Sequence, residues 1–220
     1  MVHSICEDFI MDLKSFRAGI KQNKELTLVG PMAIAVPKEL AHLPQILVDG
    51  GSRIKKKHLI SISVGDGDSW GKKLDIRVPS KKDYSDLSLA LSLIPKQIKI
   101  IHLVGFWGGR EDHQFINLGE IHHFLSRKKQ VEVKVWAKQK LMIWGLSKGQ
   151  FNFSHTGTFS LFNFKNCKVN IKGKCEYSMK GSTLRAYSSH GLSNVGFGAM
   201  EIKSSAPLLV IFPSHIRNGF

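Results

Sequence analysis

The chain is short of acid. Its 220 residues hold 17 Asp and Glu against 32 Lys and Arg, a formal charge of +15 at pH 7. That imbalance raises nucleic acid, a membrane surface or a polyanion such as ATP as partners. The basic residues form no single helical stripe. They lie in short clusters, Arg53 to Lys57, Lys72-Lys73, Lys81-Lys82, Arg127 to Lys129 and Lys165 to Lys174. These read as solvated loops, and no nucleic-acid partner is expected. Cysteine is equally scarce. Cys6, Cys167 and Cys175 are odd in number and lack metal-ligand spacing, which points to a reduced, cytoplasmic protein. No apolar run approaches the roughly 20 residues that span a bilayer. Glu7, Asp8 and Asp12 interrupt any basic-then-apolar signal design, so no membrane partner is expected either.

Other chemistries are absent by spacing. The ten histidines form no metal box, and His122-His123 are expected on the exposed face of a helix. Ser189-His190 has no defined acid to complete a hydrolase triad. Gly65 to Lys73 superficially resembles a phosphate-binding loop, but its glycine gap is wrong and no Ser or Thr follows the lysine. No repeat of solenoid length and no low-complexity tract occurs.

What is present is a series of short apolar runs ending in Gly, Pro or Asp. Leu26 to Val29 ends at Gly30-Pro31, and Met32 to Val36 at Pro37. Gln45 to Val48 ends in Asp49-Gly50-Gly51, Leu59 to Val64 in Gly65-Asp66-Gly67-Asp68-Ser69, and Ile98 to Val104 in a glycine-rich turn reaching Arg110. Asp75 to Val78 is a brief strand candidate. Three helices are predicted. One lies within Met1 to Lys24, with Ile5, Phe9, Leu13 and Phe16 on one face. A second spans Leu87 to Ile94. A third follows Arg110, with Phe115, Leu118, Ile121 and Leu125 inward. From Val131 short β runs between Gly, Ser and Asn turns suggest an antiparallel sandwich. The expected organisation is a helical extension over 1–24, a three-layer-like α/β domain over 25–128 and an all-β antiparallel sandwich over 129–220. The basic segment Ser126 to Gln130 is the joint.

The acids at the strand ends carry the candidate chemistry. Asp66 and Asp68 are two apart, so in an extended segment they converge on one point. Gly67 between them leaves the backbone open to a phosphate or metal. Asp83 and Asp86 stand three apart where the second helix begins. They read either as a capping arrangement favouring the helix dipole or as further carboxylates at a phosphate and metal site. Gly108-Gly109-Arg110 opens the third helix. Backbone N–H groups there make an anion site, and Arg110 offers a planar fork to phosphate oxygens.

Four motifs thus stand in order: DGG at Asp49 to Gly51, GDGDS at Gly65 to Ser69, KDYSDLSLAL at Lys82 to Leu91 and GGREDHQFINL at Gly108 to Leu118. Together they resemble the thiamine pyrophosphokinase family. Gly157 to Leu161 and Gly191 to Asn194 are similar to its C-terminal signatures. The resemblance runs from about Leu26 onward. It implies an α/β catalytic domain followed by a β-sandwich, a homodimer, and transfer of the pyrophosphoryl group of ATP to the hydroxyl of thiamine. By resemblance Asp49, Asp66, Asp68 and Asp86 hold Mg²⁺ and the triphosphate, and Asp49, Asp68 and Asp86 are the catalytic acids. Any of Asp49, Asp68, Asp83 or Asp86 can take the hydroxyl proton. Lys82, Asp83, Ser85, Arg110, Asp112 and His113 match nucleotide-contacting positions. Ser193 and Asn194 match the turn that reaches thiamine, and Tyr177 the position of an aromatic that stacks on its ring. Three departures stand out: Gly67 where the family has a bulkier apolar residue, Ser85 for Thr, and Tyr177 for Trp. The alternatives are pyrophosphoryl transfer to another hydroxymethyl heterocycle such as a pterin, or a non-catalytic nucleotide- or thiamine-binding module.

Overall fold

The computed structural model describes residues 11–55, 59–67 and 74–213. The first half alternates short strands with helices or 3-10 turns. Strands β1 (Glu25–Val29), β2 (Gln45–Val48), β3 (Ser61–Gly65), β4 (Ile76–Arg77), β5 (Ile100–Val104) and β6 (Glu132–Ala137) all run parallel. Their order across the sheet is β4-β3-β2-β1-β5-β6. The chain moves outward from β1 to β4 and then restarts on the other side of β1 with β5. That reversal between β1 and β5 opens a crevice at the carboxyl ends of the strands, where open α/β sheets bind their ligands.

Helices α1 (Leu13–Gly19), α2 (Asp86–Leu93) and α3 (Glu111–Ser126) bury their apolar faces in one core. Phe16 and Ile20 from the first helical segment, Leu87 and Leu91 from α2, and Ile121 and Leu125 from α3 meet alternate strand residues such as Leu28, Ile62 and Leu103. Burying a side chain of this size contributes about 1.5–3 kcal/mol, so α1 is part of the core rather than an appendage. Asp12 caps α1, its Oδ1 accepting from Ser15 N at 2.9 Å. Ile5 and Phe9, expected on the same helix, lie outside the described residues. The opposite sheet face is more polar, with Thr27, Gln45, Ser63 and His102 buried there. Leu40 and Leu43 of the 3-10 turn segment cover Val104, joined by Ala33 and Val36. Among the described residues the three α-helices therefore share one face, where a three-layer arrangement would place helices on both. Met32 to Val36 forms no strand, because prolines bracket it and Pro37 opens the 3-10 turn.

The second half contains β7 (Lys140–Leu146), β8 (Gly149–Phe162), β9 (Cys167–Cys175), β10 (Met179–Leu184), β11 (Asn194–Ser204) and β12 (Leu208–Ile211). All pair antiparallel, in the order β10-β9-β11-β8-β12-β7. A second core lies between the layers, with Trp144 and Leu146 facing Phe159, Val169, Ile171 and Ile202. Strand β8 belongs to both layers: 149–159 pairs with β11 and 160–162 with β12. No strand is predicted from sequence over 149–162, although Phe151, Phe153, His155, Phe159 and Leu161 recur at even spacing.

The joint expected at Ser126 to Gln130 does not divide the sheet. Strand β6 pairs parallel with β5 and antiparallel with β7. Strands β7 and β12 serve both cores, Ile143 and Leu209 facing the helices while Trp144 and Val210 face the sandwich. Among the described residues no helix is long and apolar enough to cross a membrane.

Candidate active site

Asp49 is the first residue beyond β2 and is 7% exposed. Its φ of 48° lies in the left-handed region, which Asp tolerates better than most residues. Its Oδ1 is buried and has no hydrogen-bond partner among the described residues. The glycines after it allow a tight fit, since a Cβ on Gly51 would stand 2.1 Å from the Val29 carbonyl oxygen. Asp66 follows β3 at the same sheet edge. Gly67 then takes φ 81°, and a Cβ placed on it would meet no described atom closer than 3.8 Å. Backbone conformation therefore selects glycine there, not lack of room, which accounts for the departure from the bulkier residue.

Lys82 gathers the acids. Its Nζ lies 3.4 Å from Asp66 Oδ2 and 3.1 Å from Asp86 Oδ1, and its side chain is 9% exposed. Ser85 caps α2 by accepting from Ser88 N at 3.0 Å, which sets Asp86 in the first turn. Burial pushes the Asp86 carboxyl up; Lys82 opposes this, and the charges of Asp66 and Asp49 add to it. Burial alone would lower the Lys82 ammonium, but Asp86 and then Asp66 outweigh it and raise it. The structure thus pairs Asp66 and Asp86 through one lysine and brings Asp49 within electrostatic reach of Asp86. Asp83 is exposed and enters neither ion pair of Lys82. Asp68 and Ser69 lie outside the described residues. Among the described residues no group of three or more His, Cys, Asp or Glu side chains is drawn close enough to hold a metal. An orphaned, buried Asp49 oxygen beside two more carboxylates is nonetheless the oxygen-only donor set that a hard divalent cation prefers.

Arg110 precedes α3, and its fork closes on Asp112, Nη2 to Oδ2 at 2.6 Å and Nε to Oδ1 at 3.1 Å. Both side chains are exposed, so the pair is screened by solvent and holds the arginine only loosely. His113 is exposed beside them, its backbone N donating to Asp112 Oδ1. Phe115, expected to face inward, is 73% exposed; Leu118, Ile121 and Leu125 make the packed face.

The sandwich-end residues meet at a separate cavity of about 360 Å³. Tyr177 and Asn194 line it with Leu161, Met179, His190 and Leu192. Asn194 is buried and clasps the Tyr177 backbone in both directions, accepting from its N at 3.0 Å and donating to its O at 2.7 Å. The Tyr177 side chain stays largely exposed. Ser193, at φ 56°, donates its backbone N to Ser160 Oγ.

Two buried polar centres belong to no motif of the sequence. Asp75 accepts from Ser63 N and Oγ, both at 2.7 Å, from Lys55 Nζ at 3.0 Å and from Met11 N at 2.9 Å. Burial raises its carboxyl pKa, but these donors outweigh burial and hold it low. His102 on β5 joins Trp136 and Glu25 across three strands. Trp136 Nε1–H can only donate, so His102 Nδ1 accepts at 3.1 Å and its proton sits on Nε2, toward Glu25 Oε2 at 3.1 Å. Burial pushes this imidazole pKa down. His122, expected on an exposed face, is half-buried against the Phe164 ring.

No protein-family model matches the sequence, and no curated protein matches it. Solved structures do. A thiamine pyrophosphokinase from Bacillus subtilis superposes with a TM-score of 0.66 at 19% identity, over 88% of this chain and 100% of that one. The enzyme of that name from Geobacillus thermodenitrificans gives 0.67 at 18% identity, over 88% and 99%. The yeast one gives 0.58 at 14% identity, over 92% and 90%. Nearly the whole length of these proteins is matched, from the parallel sheet through the sandwich, and the chain has the fold of the thiamine pyrophosphokinases.

Proposed function

We propose that the chain is a thiamine pyrophosphokinase, transferring the pyrophosphoryl group of ATP to the hydroxyl of thiamine and releasing AMP. The observation that carries this reading is the pairing of Asp66 and Asp86 with Lys82, and the electrostatic coupling of Asp49 to Asp86, at the carboxyl edge of the parallel sheet. Like charges gather in a half-buried site only where cations compensate them. Asp49, Asp66 and Asp86, with Asp68, would hold Mg²⁺, which when bound neutralises charge on the phosphate chain. Lys82 adds a fixed positive charge beside it. Arg110 exchanges Asp112 for phosphate oxygens at the N-terminus of α3, with His113 and Asp83 at the rim and Ser85 fixing α2. The thiamine hydroxyl oxygen bonds to the β-phosphorus as the bond from that phosphorus to the AMP oxygen breaks. The hydroxyl proton passes to one of the aspartates. Catalysis by this set is positioning plus electrostatic stabilisation.

Tyr177 offers a ring face to the thiamine heterocycle, and Ser193 and Asn194 shape the turn beside it. Seven strands, β11, β8, β12, β7, β6, β5 and β1, separate β9 from β2 in the sheet order. The cavity that Tyr177 lines contains none of the acids Asp49, Asp66 and Asp86; a site using both would draw on a second copy, and we infer a homodimer. Cys167 and Cys175 are both free thiols, which accords with a cytoplasmic enzyme. The test is to supply ATP, Mg²⁺ and either thiamine or a hydroxymethylpterin. AMP formed only with thiamine supports the reading; AMP formed only with the pterin moves the acceptor, and none with either removes the activity.

A further inference from the structure

The proposed activity uses few of the 32 basic residues. Four of the others surround one depression of about 400 Å³: Lys129, Lys148, Lys168 and Lys203. Its floor is set by the sheet. Lys203 on β11 lies opposite Gln150 of β8 on one side and Asn170 of β9 on the other. Lys129 bridges Lys148. Gln130 clamps the backbone of Gln150 from both ends, Oε1 accepting from its N at 2.8 Å and Nε2 donating to its O at 3.1 Å.

None of the residues lining this depression is acidic, aromatic or aliphatic. None of the four lysines forms an ion pair among the described residues. The acid close by is Glu201, one pleat along β11, already engaged by Gln150 Nε2 at 2.7 Å. All four lysines are exposed, and like charges lining one hollow favour an anion there. Lysine serves phosphate as a point charge, and no arginine fork lines the depression. With no ring to stack on, the site has nothing with which to read a nucleobase.

We propose that this depression binds a short chain of phosphate groups, an oligophosphate with about as many charges as there are lysines. It is not the nucleotide site already described. Lys129 and Gln130 follow the C-terminal end of α3 and precede β6, which puts them at the amino edge of the parallel sheet, opposite the Asp49 cluster.

The probe is sodium tripolyphosphate, titrated calorimetrically into the full chain at about 0.15 M salt without divalent cations. The expected result is one saturable site weakened at least tenfold, about 1.4 kcal/mol, by Lys148→Glu with Lys203→Glu. The site persists in Arg110→Ala, and AMP release in the double variant is unchanged. If that variant misfolds by circular dichroism, Lys129→Gln with Lys168→Gln supplies the same test with a milder change. Absence of saturable binding, or equal affinity in both lysine variants, overturns the proposal. So does a thymidine oligomer that binds more than about tenfold tighter than tripolyphosphate at the same salt, because the lysines would then serve a nucleic-acid backbone.

Discussion

Lys82 stands four residues before Asp86, ahead of α2, and closes an ion pair with it at 3.1 Å, while the same ammonium reaches Asp66 at 3.4 Å. A cation so placed offsets charge that burial and neighbouring carboxylates make costly. Lys82→Ala leaves those carboxylates facing each other, and a loss of about 2–4 kcal/mol is expected. Added Mg²⁺ should restore part of that loss if the same oxygens hold a metal. Urea denaturation with and without Mg²⁺ measures both. Unchanged stability, or a variant indifferent to Mg²⁺, contradicts the account of this site.

Asp86→Asn should separate stability from activity. The folded carboxyl is raised, so between the ordinary Asp range and that raised value the native state binds more protons than the unfolded one. Stability therefore falls as pH rises through that window, and the cost of the ionised carboxylate persists at neutral pH. The amide removes the cost. Thermal melts should show the variant equal to or above the wild type in Tm at pH 7, with the difference shrinking on acidification, while turnover is lost. A lower Tm at pH 7 would mean that pairing with Lys82 outweighs the desolvation.

His102 gives an opposite pH signature. Its folded pKa lies below the ordinary imidazole value, so the unfolded chain binds more protons just below that value. Stability is full above it and lost as pH falls through the window. His102→Phe removes this dependence and leaves the Trp136 N–H without its acceptor, at a cost of about 1–3 kcal/mol. Denaturation midpoints between pH 7.5 and about 5.5 read both effects; a slope retained in the variant assigns the titration to another group.

The acids at the strand ends were legible because parallel strands carry their C-terminal turns to one edge. Asp49 and Asp66 each follow an apolar run that forms a strand, while Asp86 opens the helix α2 and was joined to them by the motif resemblance. Buried centres that join distant segments were not legible. His102 meets Glu25 across 77 positions and Trp136 across 34, and neither spacing has a period. Strand β8 was hidden for a different reason: Asn152, Ser154, Thr156 and Thr158 between its aromatics resemble turn chemistry when no partner strand is in view. Phe115 satisfied a helical spacing without being buried, since periodicity identifies a face but not how far the core extends along it.

The shared site can be tested by mixing two inactive proteins. Asp49→Asn damages the acid cluster and Asn194→Ala the Tyr177 turn, and these lie far apart in the sheet order. If each site draws on two copies, mixed dimers contain one site free of both changes. A statistical mixture should then recover about a quarter of wild-type activity, given that half the dimers are mixed and half their sites intact. No recovery after unfolding and refolding the mixture contradicts a site shared between subunits.

The central claim concerns which bond of ATP breaks. Phosphorus NMR of a reaction holding the protein, ATP, Mg²⁺ and thiamine follows every phosphate at once. The account predicts thiamine diphosphate and AMP appearing in equal amounts, with no thiamine monophosphate or ADP on the way. Thiamine monophosphate with ADP, or ATP unchanged, contradicts it.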